Sequence, residues 1–425
     1  MVRPQAKPSH DAPRAWVGYR SKHRQKSHDD AHAHANGDAA PPPLLIEHPL
    51  VPSGPAELVT EQPQLDALID TLRDAGQLGY DTEFIGEQSY FPRLCLVQVA
   101  TAEDVWLIDP LHSLDLSGFW RLLTDPAVET VVHAGLQDLE PMPRRAGGPV
   151  GRVFDTQVAA GFAGLDYPAS LSRLVDTLIG GELDQGPKFS RWDQRPLSRL
   201  QRAYAANDVR YLLLVRQRVL ERVEACGNAE ALAEEHRAMR HLASQAGPPS
   251  LDKLKARGVA KLSRRRRTRL TALVAWRDAA AQRLDMPPRA VVGDDTLVAL
   301  AIDKPEDEAS LRETKGLPRP VKEQFSGELL RVLAESETLP LVAAARRSKK
   351  PSDEAKRRMD ELWAAVQAAC ESRGIATALA CNRKDIAAWA TSRRGRKALR
   401  GRLCEGWRGR LLGPLLEPFD PPAPR

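Results

Sequence analysis

Asp81-Thr82-Glu83, inside the mostly apolar run Leu78 to Phe84, is the first place in the chain where chemistry could reside. Residues i and i+2 of a strand leave by the same face, so both carboxylates would emerge together. Side by side they repel unless a cation lies between them. Hard oxygen donors of this kind suit Mg²⁺ or Mn²⁺. Taken alone, such a pair is weak evidence, since most Asp-x-Glu pairs are solvated surface residues. A second pair, Tyr204 and Asp208, is spaced i, i+4 in a segment predicted to be helical from about Leu197. That spacing puts a hydroxyl and a carboxylate on one helical face, where they could orient a water. A packed tyrosine beside a solvated aspartate would have the same spacing. The third element is His133-Ala134-Gly135-Leu136-Gln137-Asp138. It reads as a strand end, a tight entry through small residues, and an aspartate on the first turn of a helix. Open α/β sheets place their sites at such strand ends. His133 itself reads as a structural residue of the strand end.

These residues need a scaffold that alternates strands with helices, and the chain supplies one from about Leu58. Leu65, Leu68, Ile69 and Leu72 are apolar at helical spacing. Three strands follow closely, at Leu78–Phe84, Leu94–Val99 and Val105–Asp109. Connections this short leave room only for hairpin turns, so the three are predicted antiparallel. Val131–His133 is a further short strand, and helices dominate from about residue 136. The result is an α/β domain with a mixed sheet and helices on its faces. Beyond Leu214 the pattern is almost wholly helical. It predicts a charged connecting helix at Gln217–Leu242 and a helical bundle at Lys261–Leu284, Asp294–Leu300, Glu306–Thr314 and Pro320–Ser336. A second helical unit follows the Ser348–Ser352 break. The Pro- and His-containing leader and the Pro-rich end read as disordered.

Asp81, Glu83, Asp138 and Asp208 with Tyr204 resemble the four acidic residues and tyrosine of the DEDDy 3′→5′ exonuclease superfamily. The likeness to the ribonuclease D family extends further. It takes in Tyr90-Phe91-Pro92, Leu96-Val97-Gln98, Phe154-Asp155-Thr156-Gln157, Trp192-x-x-Arg195-Pro196-Leu197 and Asp208-Val209-x-Tyr211-Leu212. The chain departs from that pattern at Gly86-Glu87-Gln88, which replaces a more basic stretch, and in its long polar leader. The resemblance implies a ribonuclease H-like 3′→5′ exonuclease domain with a mixed sheet, followed by two all-α HRDC-type helical domains. Gly406-Trp407-Arg408-Gly409 looks like the end of the second of these. The implied boundaries are a leader at 1–54, the nuclease at 55–215, a connecting helix at 216–249, helical domains at 250–338 and 339–416, and a tail at 417–425. The implied activity is removal of 3′ nucleotides from structured RNA such as tRNA precursors, releasing nucleoside 5′-monophosphates. Asp81, Glu83, Asp138 and Asp208 would hold two divalent ions (Mg²⁺ or Mn²⁺) that clamp the oxygens of an in-line displacement. Asp81 would be shared between the ions, and Asp138 would act mainly through water. Tyr204, as a phenol, is a poor base near neutral pH and is expected to position the nucleophile.

Charge is distributed to match. The chain carries +6 overall, but residues 81–210 hold 18 acidic against 12 basic side chains. Residues 251–300 hold 12 basic against 5 acidic, and residues 346–410 hold 18 against 7. An acidic module followed by basic ones fits an ion-binding centre attached to modules that attract a polyanion. Lys188, Arg191 and Arg195 precede the last motif and are candidates for phosphate contact. Arg195 reads equally well as an ion-pair partner. Arg264, Arg265 and Arg266 open a basic helix that would make RNA binding salt-dependent. Phe84 and Tyr90 are candidates to stack on terminal bases, with core packing the better reading for Phe84. Five cysteines without a CxxC pair are expected to be packed thiols of a reducing cytoplasm. No apolar run is long enough to span a membrane, and a monomer is expected. A phosphate-cradling GxxxxGK[ST] loop is absent, which excludes a helicase. Two rivals remain: a DNA exonuclease of the same fold, and a scaffold that binds RNA without cutting it.

Overall fold

The computed structural model describes residues 46–86, 89–183, 191–243, 251, 254–342 and 352–419. The leader up to residue 45, Glu87-Gln88, Lys188, most of the Ser348–Ser352 break and the last six residues lie outside them. The described residues fall into two compact units. Of the described residues, one contains those within 46–84, 94–243 and 352–419; the other contains those within 85–93 and 251–342.

The larger unit is built on a six-stranded sheet: β1 (Glu57–Val59), β2 (Gln77–Ile85), β3 (Arg93–Ala100), β4 (Val105–Ile108), β5 (Glu129–Val132) and β6 (Arg152–Asp155). Their order is β1-β4-β3-β2-β5-β6. β3 and β4 are antiparallel, whereas β4 runs parallel to β1, β5 to β2 and β6 to β5, so the sheet is mixed. β6 was not expected from sequence. It has four residues with Arg152 and Asp155 at its ends, too few for alternation to show. Helix α1 (Gln62–Ala75) turns Leu65, Leu68, Ile69 and Leu72 inward, as their spacing predicts, and ends at Gly76 with φ 66°.

Further helices cover both faces: α2 (Ser117–Leu122), α3 (Leu136–Leu139), α4 (Met142–Ala146), α5 (Thr156–Ala160), α6 (Leu171–Ile179), α7 (Arg199–Arg210), α8 (Leu212–Ala225) and α9 (Ala229–Ala243). The connecting helix predicted at Gln217–Leu242 is two helices. Gly227 (φ 72°) breaks it, and the Asn228 side chain donates to the Phe162 carbonyl at 2.8 Å and the Arg373 carbonyl at 2.7 Å. One core, with Leu65, Leu78, Tyr80, Val97 and Phe119, lies on one face of the sheet. The other, with Val131, Phe162, Val209, Leu212 and Val219, lies on the opposite face.

The smaller unit has its own core of Leu270, Leu273, Trp276, Leu297, Leu311, Val321 and Leu329. Its helices are α10 (Arg264–Leu284), α11 (Pro288–Val291), α12 (Asp294–Asp303), α13 (Glu308–Glu313), α14 (Arg319–Gln324) and α15 (Ser326–Glu335). Arg277 is buried against Asp294 at 2.7 Å. Within this unit the Tyr90 hydroxyl donates to Asp278 at 2.9 Å. The backbone amides of Tyr90 and Phe91 both donate to Asp285.

The last helices, α16 (Asp353–Ser372), α17 (Thr377–Ala380), α18 (Arg383–Thr391), α19 (Arg393–Leu403) and α20 (Gly406–Leu416), belong to the larger unit. Leu362, Val366, Trp389 and Trp407 join the core that contains Phe162 and Val215. All five cysteines are free thiols. Among the described residues, no helix is long and apolar enough to cross a membrane.

Candidate active site

Strand alternation divides β2 as the sequence predicts. Tyr80 points into the core beneath α2, while Gly79, Asp81 and Glu83 face the α7–α8 side. Gly79 matters there. A Cβ at this position would stand 3.0 Å from the Val209 carbonyl and 3.4 Å from Leu212, so its absence lets α7 approach β2 closely. The capping box that starts α7 is reciprocal: the Gln201 amide donates to Ser198 Oγ at 3.1 Å, and the Ser198 amide donates to Gln201 Oε1 at 3.0 Å. From that start, Tyr204 and Asp208 share a face, while Ala205, Ala206 and Val209 are buried.

Asp138 arrives from the other side of the sheet. β5 ends at Val132, Ala134 takes φ 54°, and Gly135 precedes α3. A Cβ on Gly135 would lie 2.5 Å from Val132 Cβ, which explains why glycine stands there. The buried Asp155 carboxylate anchors this turn. It accepts from the amides of Ala134 (3.1 Å) and Gly135 (2.9 Å), and also caps α5 by accepting from Gln157 (2.9 Å) and Val158 (3.1 Å). His236 on α9 completes the support, its Nε2 accepting from the Asp155 amide at 3.1 Å. Asp155 and His236 hold this turn, a task that the sequence did not reveal. The amides of Ala134 and Gly135 lie 21 and 20 residues from Asp155, and His236 lies 81 residues from it, which no spacing reveals. Thr82 donates to Asp138 Oδ1, and the Tyr80 hydroxyl donates to its carbonyl at 3.4 Å. His133 is held at both ring nitrogens, by Thr156 Oγ1 at 2.9 Å and the Ala169 carbonyl at 3.1 Å. Burial lowers it to about 4, so it is a neutral structural residue.

The four carboxylates therefore come from three segments, and each is half-buried. Burial and repulsion from Asp138, Asp208 and Glu83 push Asp81 well above the usual carboxylate range. Burial, Asp208 and Asp138 push Glu83 up to about 8. Burial raises Asp208 to about 7 and Asp138 to about 6, the latter opposed by Thr82. Tyr204 is raised by burial and then by Asp208, Glu83 and Asp81, so its hydroxyl stays protonated near neutral pH. Among the described residues, no three acidic, histidine or cysteine side chains are already drawn into an ion-holding cluster. The donor set nevertheless fits hard divalent cations: four converging carboxylates whose mutual repulsion a cation would relieve.

The proposed phosphate contacts divide. Arg191 is exposed, beside Asp193 at 3.3 Å. Arg195 is not available to RNA. Its five N–H groups go to both oxygens of buried Asp109 and to the carbonyls of Cys95, Trp192 and Gln194. The ion-pair reading, left open by the sequence, is the one observed. Arg264 and Arg266 are exposed, but Arg265 turns inward to the carbonyls of Ser336 and Leu339, both at 3.2 Å. A guanidinium already holding helix-end carbonyls is a poor phosphate contact. Phe84 packs against the core, and the Tyr90 hydroxyl is engaged by Asp278 and Gln282.

Known proteins are similar to this chain in sequence and fold. Residues 56–224 match the family model described as 3′-5′ exonuclease, and residues 266–333 match the HRDC domain. A ribonuclease D of Granulibacter bethesdensis is 38% identical over 287 residues, covering 67% of this chain and 72% of the relative. That of Gluconacetobacter diazotrophicus is 34% identical over 367 residues, covering 84% and 90%. The crystal structure of Escherichia coli RNase D, an exoribonuclease involved in structured RNA processing, superposes with a TM-score of 0.74 at 25% identity, covering 86% of this chain and 98% of that one. With its mixed sheet, acidic site and HRDC domain, the chain belongs to the ribonuclease D family of 3′→5′ exoribonucleases.

Proposed function

We propose that this enzyme trims the 3′ ends of structured RNA such as tRNA precursors in the cytoplasm, releasing nucleoside 5′-monophosphates. The observation that carries this reading is the convergence of Asp81, Glu83, Asp138 and Asp208 from three segments, with Tyr204 feeling three of their charges. The four carboxylates would hold two divalent ions, Mg²⁺ or Mn²⁺, which supply charge neutralisation and an activated water when bound. Asp138, already gripped by Thr82, suits contact through an intervening water. Tyr204 keeps its proton and acts by position: its oxygen accepts a hydrogen bond from the attacking water and orients it toward the terminal phosphodiester. Exposed Arg191, Arg264 and Arg266 would attract backbone phosphates.

The test is incubation of the purified chain with 3′-tailed tRNA and with matching single-stranded DNA, each with Mg²⁺ or Mn²⁺, alongside Asp81→Asn. Stepwise loss of 3′ nucleotides from RNA, abolished by the substitution, is the expected result. Faster trimming of DNA would overturn the substrate assignment, and binding without cleavage would overturn the enzymatic one.

A further inference from the structure

Asp109, just beyond β4, has no exposure and is fixed on every side. Its amide donates to the Val59 carbonyl at 3.0 Å, and its carboxylate caps the following turn by accepting from Leu111 at 3.0 Å. His112 lies 3.1 Å from the same carboxylate. The Arg195 guanidinium is locked against this anchor, and its remaining N–H groups gather the carbonyls of Trp192 (2.8 Å), Gln194 (2.7 Å) and Cys95 (2.7 Å). Residues 191–198 have no regular secondary structure. The Trp192 ring is nevertheless 3% exposed and rests against Tyr204, centroids 6.3 Å apart at 37°. Tyr204 in turn faces Asp208, Glu83 and Asp81.

We propose that Arg195, anchored by Asp109, is a positioning residue for Tyr204, acting through Trp192. The fork geometry of arginine is needed because one side chain must grip a carboxylate and three carbonyls at once, which a lysine cannot do. Loss of the grip lets Trp192 shift and frees the tyrosine ring to tilt. A displacement of about 1 Å at a water-orienting group is enough to lower turnover by about 10²-fold. The proposal rests on the positioning role assigned to Tyr204 above.

A double-mutant cycle tests it, with Arg195→Lys, Tyr204→Phe and the pair assayed for kcat and KM on 3′-tailed RNA with the RNA in excess over enzyme. Arg195→Lys is expected to lower kcat about 10–100-fold with KM within about threefold. In the Tyr204→Phe background the same change should cost less than about threefold, because the residue it serves is already disabled. Fluorotyrosine labelling of the six tyrosines gives a readout apart from activity. The ¹⁹F resonance missing from Tyr204→Phe identifies Tyr204, and it should shift or broaden in Arg195→Lys. Trp192→Phe, which shortens the ring but keeps the ion pair, should repeat both results if Arg195→Lys fails to fold. Multiplicative losses in the cycle, or an unmoved Tyr204 resonance, would overturn the proposal. Full turnover by Tyr204→Phe alone would instead remove the tyrosine's role, and with it the reading on which the proposal stands.

Discussion

At the scale of single residues, the acidic cluster carries a stability cost that ion binding would relieve. Asp138, Asp208 and Glu83 have pKa values of about 6, 7 and 8 in the folded chain, against ordinary values of 3.8 and 4.5. A carboxylate raised on folding keeps its proton in the native state while the unfolded chain releases it. Native stability therefore falls as pH climbs from about 4 to about 8. His133 and His236 act in the opposite sense. Both are lowered to about 4 by burial, so they remove stability as pH falls from about 6.5 to about 4. The metal-free protein should thus lose stability between pH 6.5 and 8, where only the carboxylates contribute. Urea denaturation of chelator-treated protein across that range measures the slope. Asp81→Asn should flatten it and raise stability by about 1–2 kcal/mol near pH 7.5 while abolishing cleavage. A slope unchanged by Asp81→Asn would mean that the cluster is not coupled as described. Much of this cluster was legible in the sequence, because i, i+2 on a strand and i, i+4 on a helix fix which residues share a face. The fate of Arg195 and Arg265 was not, since a surface cation and a saturated one look alike in sequence.

At the scale of elements, the placement of Asp138 depends on a turn rather than on a helix. Only four residues of α3 are helical, so the turn from β5 through Ala134 and Gly135 sets its direction. Gly135→Ala forces a Cβ to 2.5 Å from Val132 Cβ and must displace either the strand end or the helix. Asp155→Ala removes the acceptor of four backbone amides, leaving donors without partners at part-buried and buried positions. Each change is expected to cost about 2–4 kcal/mol by urea denaturation and to lower nuclease turnover more than RNA affinity. A Gly135→Ala enzyme with wild-type turnover would show that the turn does not aim Asp138. The sequence announced this turn through its small residues. It concealed Asp155 as the anchor, because the amides that Asp155 accepts from at Ala134 and Gly135 lie some twenty residues earlier. It concealed β6 for a related reason: four residues with a charge at either end carry too little alternation to read.

At the scale of the whole molecule, the basic, proline-containing break predicts a C-terminal helical domain separate from the rest. The apolar faces of these helices instead share a core with the nuclease. Trp407 is the centre of that junction. Its ring is 4% exposed and meets Phe162 edge-on at 4.9 Å, its indole N–H donates to Glu235 at 2.9 Å, and its amide donates to Glu234 at 2.7 Å. Arg408 adds a two-pronged pair with Glu235 at 2.7 and 2.9 Å. Two backbone bonds join the segments directly, Gly164 to Gly374 at 2.8 Å and Ala376 to Gly161 at 2.7 Å. The sequence shows amphipathic helices but not what each apolar stripe covers, which is why a separate domain was the natural reading. Trp407→Ala should cost about 3–5 kcal/mol, through the lost ring and a Glu235 left without its indole donor. Because the core is common, the nuclease and the C-terminal helices should unfold in one transition in the wild-type chain, followed by circular dichroism and by loss of activity together. Removal of residues 349–425 should lower the melting temperature of the nuclease, since Phe162 loses the Trp407 ring that packs on it. A truncated chain that melts at the wild-type temperature would mean that the shared core contributes nothing to the stability of the catalytic domain.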